Sequence, residues 1–476
     1  MKFRFNVGDA GVQVGALMRV PTSYIDPHQV KTELTVSNGA FFARQHAGYG
    51  SSGMTAAVEM YREVPGALLV PRHYKVPLTT DLPPPVYDVR PLPGAFVDRH
   101  GRLRRMERRA QTFRHSVVLR DQIQADAVTA LLRDEEDKIL ALACGKGKTV
   151  VSLCAAHDGD RFPVLVIVHT NALMDQWRER IKQFYGLRDD EIGHVQAGTE
   201  RWKGCPVAIG MLHSICMKEY SEEFYNYWRL VIFDETHRLG ADLFSRAASL
   251  FPAERWGLSA TVKREDGNDK MFRLHFGEVV FEDLTQALVP TVYFVETGVR
   301  VDQSKFTYRG NVNLAKLTTW LCDVEARNEL VLHWMAKAVE KQRTILVLGE
   351  RLTQLHWLHD NCPTESKALH VGAMDQAERR DALKQRVVFA TQHLAKEGLD
   401  RVAFDTLFIL VPFAGEGRLR QSMGRILREA EGKKDPLVFV FEDDIGIIRG
   451  LGRKMRRLLR QGDFSVNEIR KGQEQR

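Results

Sequence analysis

Six cysteines in 476 residues are few, and they are scattered: Cys144, Cys154, Cys205, Cys216, Cys322 and Cys362. None forms a C-x-x-C pair, and no histidine stands beside them at zinc-finger spacing. A disulfide scaffold and a zinc-ribbon fold are therefore poor readings, and reduced thiols of a cytosolic protein are expected. No stretch approaches the ~20 continuous apolar residues of a membrane helix. The opening MKFRFNVGDAG lacks the apolar core of a signal peptide. The expectation is a soluble cytoplasmic protein (host-cell cytoplasm if viral) with no membrane partner. Short-period repeats and low-complexity tracts are also missing. Charge is not one-sided: 68 Lys and Arg stand against 61 Asp and Glu, a net +7. That mild excess tilts toward a polyanionic partner without requiring one. At 44% hydrophobic and 27% charged, the composition is that of a globular chain with more than one core.

What is present is a phosphate-loop signature. Ala143-Cys144-Gly145-Lys146-Gly147-Lys148-Thr149 follows the apolar run 139–143 and precedes a helical segment starting near Thr149. Glycines let backbone N–H groups approach phosphates, and a helix N-terminus favours negative charge. Cys144, Gly145, Lys146 and Gly147 form the turn. Lys148 is placed to reach the β- and γ-phosphates of a nucleotide, and the Thr149 hydroxyl to ligate Mg²⁺. The strict pattern wants Gly where this chain has Leu142, so a chance basic loop stays open until the neighbouring motifs are weighed.

Around the loop, short apolar runs alternate with amphipathic stretches. Residues 139–143, 164–168, 207–210, 230–233 and 256–259 read as buried strands, and 172–184 as a helix. The pattern repeats at 344–348, 387–390, 406–411 and 437–441, with helical stretches at 351–359 and 378–384, but without a second phosphate loop. Such alternation predicts an α/β fold with parallel sheets covered on both faces. The first ~110 residues are richer in Gly, Ser and Thr and contain the Pro clusters 82–85 and 91–94, a linker signal. The arginines from Arg99 to Arg114 read as a DNA-binding stripe or as a solvated linker. Arg453, Arg456, Arg457 and Arg460 share one helix face, solvated or binding. The tryptophans, Trp177 among them, read as core.

Leu230 to Phe233 lead into Asp234-Glu235-Thr236-His237, an apolar strand ending in paired carboxylates. Strand C-termini form the ligand crevice of such sheets. Asp234 would hold Mg²⁺ there, and Glu235 would orient or deprotonate the attacking water. Gln421-Ser422-Met423-Gly424-Arg425-Ile426-Leu427-Arg428 places Arg425 and Arg428 one turn apart, suited to meet a γ-phosphate as arginine fingers.

Together these three elements resemble the superfamily 2 helicases, and further motifs follow in that family's order. Gln124 resembles the adenine-reading glutamine. Val166-Ile167-Val168-His169-Thr170 with Gln176-Trp177 resembles motif Ia, and Gly257-Leu258-Ser259-Ala260-Thr261 motif III. Ala390-Thr391 with Glu397-Gly398-Leu399-Asp400 resembles motif V. Asp-Glu-Thr-His, Gln421, and Arg264-Glu265-Asp266 after motif III resemble the XPB-type DNA helicases, and the layout resembles phage branch-migration helicases of the UvsW type. Met211 and Gly349 stand where relatives often carry Thr, or Ser or Thr.

The resemblance implies two tandem RecA-like P-loop domains behind a small α+β N-terminal domain. Residues 1–112 would be an accessory DNA-binding domain with a basic linker, 113–290 the ATP-binding domain, and 291–476 the C-terminal helicase domain. It implies ATP and Mg²⁺, with catalysis by Lys148, Asp234, Glu235, Gln421, Arg425 and Arg428. Gln124, the loop from Cys144 to Thr149, and Asp400 would bind nucleotide, and Thr149 and Asp234 the metal. Thr170, Ser214, Arg264, Thr391 and Gly398 would touch DNA phosphates, without sequence preference. The implied activity is ATP-dependent unwinding or remodelling of branched DNA, 3′ to 5′, by a monomer. Its rivals are a double-stranded DNA translocase of a restriction or defence system, and an RNA helicase.

Overall fold

A computed structural model describes residues 11–37, 56–80, 82–90, 95–97, 103–105, 115–134, 136–143, 145–234, 241–260, 269–285, 288–308, 311–372, 374–392, 403–427, 433–461 and 464–470. The chain divides into two compact units, Met1–Leu284 and Thr285–Arg476.

The first unit holds two larger sheets. Near the N-terminus, β1 (Val12–Val14), β2 (Met18–Pro21), β3 (Arg62–Val64), β4 (Ala67–Val70) and β5 (Val86–Asp88) pair in the order β3-β4-β2-β1-β5. The second sheet contains β6 (Lys138–Leu142), β7 (Val164–Val168), β8 (Ile192–Gln196), β9 (Thr199–Arg201), β10 (Val207–Met211), β11 (Leu230–Phe233), β12 (Glu254–Ser259) and β13 (Val279–Asp283). Its order is β9-β8-β10-β7-β11-β12-β6-β13, parallel throughout except for β9 against β8.

The strands at 138–142, 164–168, 207–211 and 230–233 are apolar at almost every position because both faces are covered. Val164, Val166 and Val168 pack under helices α1 (Gln122–Leu132), α2 (Lys148–Asp158) and α3 (Asn171–Tyr185), beside Leu131, Leu153, Trp177 and Ile181. Leu165 and Ile167 point the other way. They join a core shared with Val20, Leu68, Val70, Phe251 and Phe276, which includes the N-terminal sheet.

A buried carboxylate stitches that sheet to the α/β layer. Asp137, just before β6, accepts the Arg255 backbone N–H on Oδ1 at 2.8 Å and the Arg255 Nη2 on Oδ2 at 2.6 Å. Arg72 Nη2 lies 3.1 Å from Oδ1, and His73 Nε2 2.9 Å from Oδ2. Burial alone would raise the Asp137 pKa, but Arg255 and Arg72 hold it well below the usual carboxylate range. Burial, with Arg255 beside it, brings Arg72 down to about 9.

The second unit is a parallel sheet of β14 (Thr291–Glu296), β15 (Ile345–Gly349), β16 (Lys367–His370), β17 (Val387–Thr391), β18 (Thr406–Ile409), β19 (Leu437–Glu442) and β20 (Ser465–Ile469), ordered β16-β17-β15-β18-β19-β14-β20. All four strands predicted in this half are present. The strands not foreseen include β16 and β20, which lie at the sheet edges and mix polar with apolar residues instead of carrying an apolar run. Gly349 has a packing reason: a Cβ there would sit 2.8 Å from Leu355 Cδ2.

The five described cysteines are buried free thiols. No helix among the described residues is long and apolar enough to cross a membrane.

His275, on the helix Asp269–Phe276, is fully buried with Nε2 3.0 Å from Ser245 Oγ. Burial, reinforced by Arg255, pushes its pKa from 6.5 down to about 3. The unfolded chain therefore takes up this proton first on acidification. The contribution to stability is complete above pH 6.5 and is lost as pH falls toward 3, about 2 kcal/mol of it by pH 5. Denaturant unfolding of the first unit at pH 7 and pH 5 should show a difference smaller by about that amount in His275→Gln.

Candidate functional site: the phosphate loop and the adjoining strand ends

The parallel register brings the motif-bearing strands out at one edge. Ala141 on β6 pairs with Ser259 on β12, and Phe233 on β11 pairs with Gly257. β7 continues the row with Ile167 opposite Phe233, and β10 with Met211 opposite Val168. The phosphate loop and Asp234 thus leave neighbouring positions, separated only by β12, a gap of ~10 Å at the usual strand spacing. Motif III ends between them, and Thr170 follows on the far side of Asp234.

Gly145 and Gly147 both take positive φ, 87° and 83°. Gly147 is the N-cap of α2, and a Cβ there would lie 2.5 Å from Gln124 Nε2. The loop needs glycine at this point for backbone shape and for space alike. Gln124 braces it: its Nε2 donates to the Lys146 carbonyl at 3.0 Å, and its Oε1 accepts the Arg120 N–H at 2.8 Å. Asp121 caps α1 on the Gln124 N–H at 2.9 Å. The Lys146 ammonium forms an ion pair with Asp283, next strand over, while Lys148 Nζ donates to the Leu142 carbonyl at 3.2 Å. Thr149 sits half-buried in the first turn of α2.

Asp234 is buried, and its N–H donates to the Ile167 carbonyl at 3.0 Å. Trp177, fully buried on α3, donates its indole N–H to Asp234 Oδ2 at 2.8 Å. The sequence alone assigns this tryptophan to packing. The structure shows it packed and also fixing the carboxylate that follows β11. The adjacent Gln176-Trp177 pair is visible in the sequence, but the partner 57 residues away is not.

The expected DNA contacts have structural roles as well. Thr170 Oγ1 caps α3 on the Leu173 N–H at 3.3 Å, and Ser214 Oγ accepts the Ala197 N–H at 3.0 Å. Thr391 ends β17 opposite Gly349. Met211 is buried in the core against α3, which accounts for an apolar residue at that position. In the second unit, Arg425 is the half-buried C-cap of helix Glu416–Gly424, which contains Gln421. Cys144, Glu235, Arg264, Gly398, Asp400 and Arg428 lie outside the described residues.

One further cluster could be taken for a metal centre: His115, Cys154 and Asp158. His115 Nε2 is 2.9 Å and His157 Nδ1 3.2 Å from Asp158 Oδ1, with Cys154 Sγ 3.5 Å from Oδ2. The Val117 N–H donates to His115 Nδ1 at 3.2 Å, which leaves the ring proton on Nε2, aimed at Asp158. The Asp158 carboxylate is thus surrounded by side-chain partners within the cluster itself.

The fold and loop define a RecA-like α/β unit with a phosphate-binding turn at the C-terminal edge of its sheet. Residues 117–264 match the family model described as Type III restriction enzyme, res subunit. A protein of Acanthamoeba polyphaga mimivirus named as a putative ATP-dependent RNA helicase is 24% identical over 334 residues, 68% of this chain and 63% of its own. The DNA 3'-5' translocase XPB2 of Sulfurisphaera tokodaii is 33% identical over 173 residues, 36% of this chain and 37% of its own. The matched part of the chain therefore spans under two thirds of either relative's length. The structure of S. cerevisiae Dbp5 bound to RNA and ADP BeF3 covers 73% of this chain and 89% of that one at a TM-score of 0.53 and 12% identity, a likeness of fold. By these matches the chain is similar to superfamily 2 helicases, those of the XPB-like group among them.

Trp177→Phe keeps the bulk and removes the N–H. If the indole orients Asp234, the Mg²⁺ concentration for half-maximal ATP hydrolysis should rise about tenfold or more, with little change in KM for ATP. An unchanged Mg²⁺ dependence in a folded variant would return Trp177 to the core alone.

Proposed function

We propose that this chain hydrolyses ATP to drive movement along DNA, unwinding or remodelling branched molecules with 3′ to 5′ polarity as a monomer, in replication, recombination or repair. One observation carries the reading: Lys148 and Asp234 leave the same edge of a parallel sheet, one strand apart, each fixed by a named partner.

The residues fit a nucleotide and its metal. Successive N–H groups of a positive-φ glycine turn form an anion-binding concavity at the start of an eleven-residue helix. Thr149 and the buried carboxylate Asp234 form the oxygen donor set that would hold Mg²⁺. When bound, the ion supplies charge neutralisation at the β- and γ-phosphates. Lys148 adds its charge to the same phosphates, and Glu235 orients the attacking water. Gln421, Arg425 and Arg428 are the further catalytic residues of this proposal, the two guanidinium groups being suited to pair with phosphate oxygens. Gln124 serves the nucleotide by holding the loop in shape, with Cys144 and Asp400 as further contacts. Thr170, Ser214, Arg264, Thr391 and Gly398 grip phosphates, so the motion is independent of base sequence and sensitive to salt.

A second reading, a double-stranded DNA translocase of a restriction system, is favoured by the description of the matched family model. Triplex displacement without strand separation would select it over unwinding.

ATP hydrolysis measured with single-stranded, duplex, forked and four-way-junction DNA, and with RNA, tests the proposal. The expected result is stimulation by DNA, greatest with branched forms. Lys148→Ala should lower turnover by about a hundredfold or more, and Arg428→Ala by ~10³ with ATP still bound. Stimulation by RNA alone, or undiminished turnover in Lys148→Ala, would overturn it.

A further inference from the structure

Helix α4 (Gly446–Gln461) carries the cations Arg449, Arg453, Lys454, Arg456, Arg457 and Arg460 and no carboxylate. Its buried face is Ile448, Gly452, Met455 and Leu459, so the charges cannot turn inward. Two of them have fixed partners. Arg449 Nε lies 2.7 Å from Asp444 Oδ1. Arg456 Nη1 lies 2.9 Å from Glu442 Oε1 and its Nε 3.2 Å from Glu468 Oε1, and its guanidinium stacks 3.9 Å above the Phe294 ring. Gly452 permits that brace, since a Cβ there would overlap Glu442 Oε1.

Arg453, Arg457 and Arg460 are different. All three are exposed, and none has an ion-pair partner among the described residues. With Arg456 and Gln461 they line a groove of about 460 Å³. Positions i, i+4 and i+7 place three like charges side by side, an arrangement that repels itself. Arg460 gains from the negative end of the helix dipole, but Arg453 lies two turns before that end and does not.

We propose that this groove binds the phosphodiester backbone of nucleic acid, as a contact separate from the motor's own track; the inference rests on the proposed function. The lining decides the class of ligand. The groove is lined by four arginines and one glutamine, with no carboxylate and no aromatic side chain among its lining residues, a charge that favours a polyanion. Guanidinium forks match phosphate oxygens two at a time. The row from Arg453 to Arg460 runs ~10 Å along the helix axis, and duplex DNA presents a charge every ~1.7 Å. The location is also distinct. Helix α4 packs on β19 and β20, three or more strands from β17, where Thr391 lies. At the usual spacing that is ~14 Å or more across the sheet.

The test uses the full chain and Arg453→Gln/Arg457→Gln/Arg460→Gln together, substitutions on an exposed face that leave the buried one intact. Affinity for a fluorescent duplex is measured from about 50 to 300 mM salt. Loss of the three contacts should flatten the slope of log affinity against log salt by roughly 2 to 3, at about 0.9 per phosphate. ATP hydrolysis without nucleic acid should be unchanged, and the triple Lys variant should recover most of the slope. A triple Gln variant with wild-type slope and affinity overturns the groove and leaves the motor reading standing. A wild-type chain that binds no DNA sinks the motor reading first. Polyglutamate binding that the variant loses while its DNA affinity is kept would overturn the assignment in favour of an acidic protein partner.

Discussion

Parallel strands hydrogen-bonded in matched register must end together, and the candidate site of this protein depends on that constraint. β10, β7, β11, β12 and β6 deliver residues 211, 168, 233, 259 and 142 to one edge of the first unit. Motifs separated by roughly ninety residues of chain become neighbours because a few ångströms of strand spacing replace sequence distance. Four of the five, β10, β7, β11 and β6, are nearly all apolar and covered on both faces.

Two buried carboxylates of the first unit fix position. Asp137 anchors the beginnings of β6 and β12, and it draws Arg72 and His73 of the N-terminal region onto them. A buried carboxylate shared by two guanidiniums adds little net stability over an apolar core, yet removing one member would strand the others without a partner. Asp234 follows the same logic at the opposite end of the sheet. Trp177 gives its carboxylate one fixed hydrogen bond in an otherwise apolar layer, a setting in which orientation is preserved at little entropic cost.

The second unit repeats the parallel architecture but places its charge differently. Its buried pair, Arg327 with Asp443, is internal to the core, Arg327 Nε lying 2.8 Å from Asp443 Oδ1. On the outer helix, by contrast, Arg453, Arg457 and Arg460 face solvent. The same residue type therefore serves as a strut in one place and, in another, as exposed charge without an ion-pair partner among the described residues, and only burial and partner distinguish them.

Most of the central strands are legible from their apolar runs, since continuous Val, Ile and Leu between turn signals has few other solutions. The phosphate loop is legible from Gly145, Gly147, Lys148 and Thr149, because positive φ and close backbone approach leave glycine little competition. Edge strands such as β16 and β20 are not, because half-exposed strands carry too little apolar signal. Nor is the inclusion of the N-terminal sheet in the first unit's core, which depends on Arg72 and Arg255 meeting at Asp137 from distant positions in the chain. The sequence by itself determined which central segments are strands, where the glycine turn falls and which carboxylate follows which strand, because those are local matters of periodicity and backbone freedom. Tertiary structure alone decided that an indole would hold that carboxylate, that His115 would turn its Nε2 toward Asp158, and which arginines would be braced by carboxylates and which would face solvent, because each outcome is set by residues far along the chain arriving within hydrogen-bond distance.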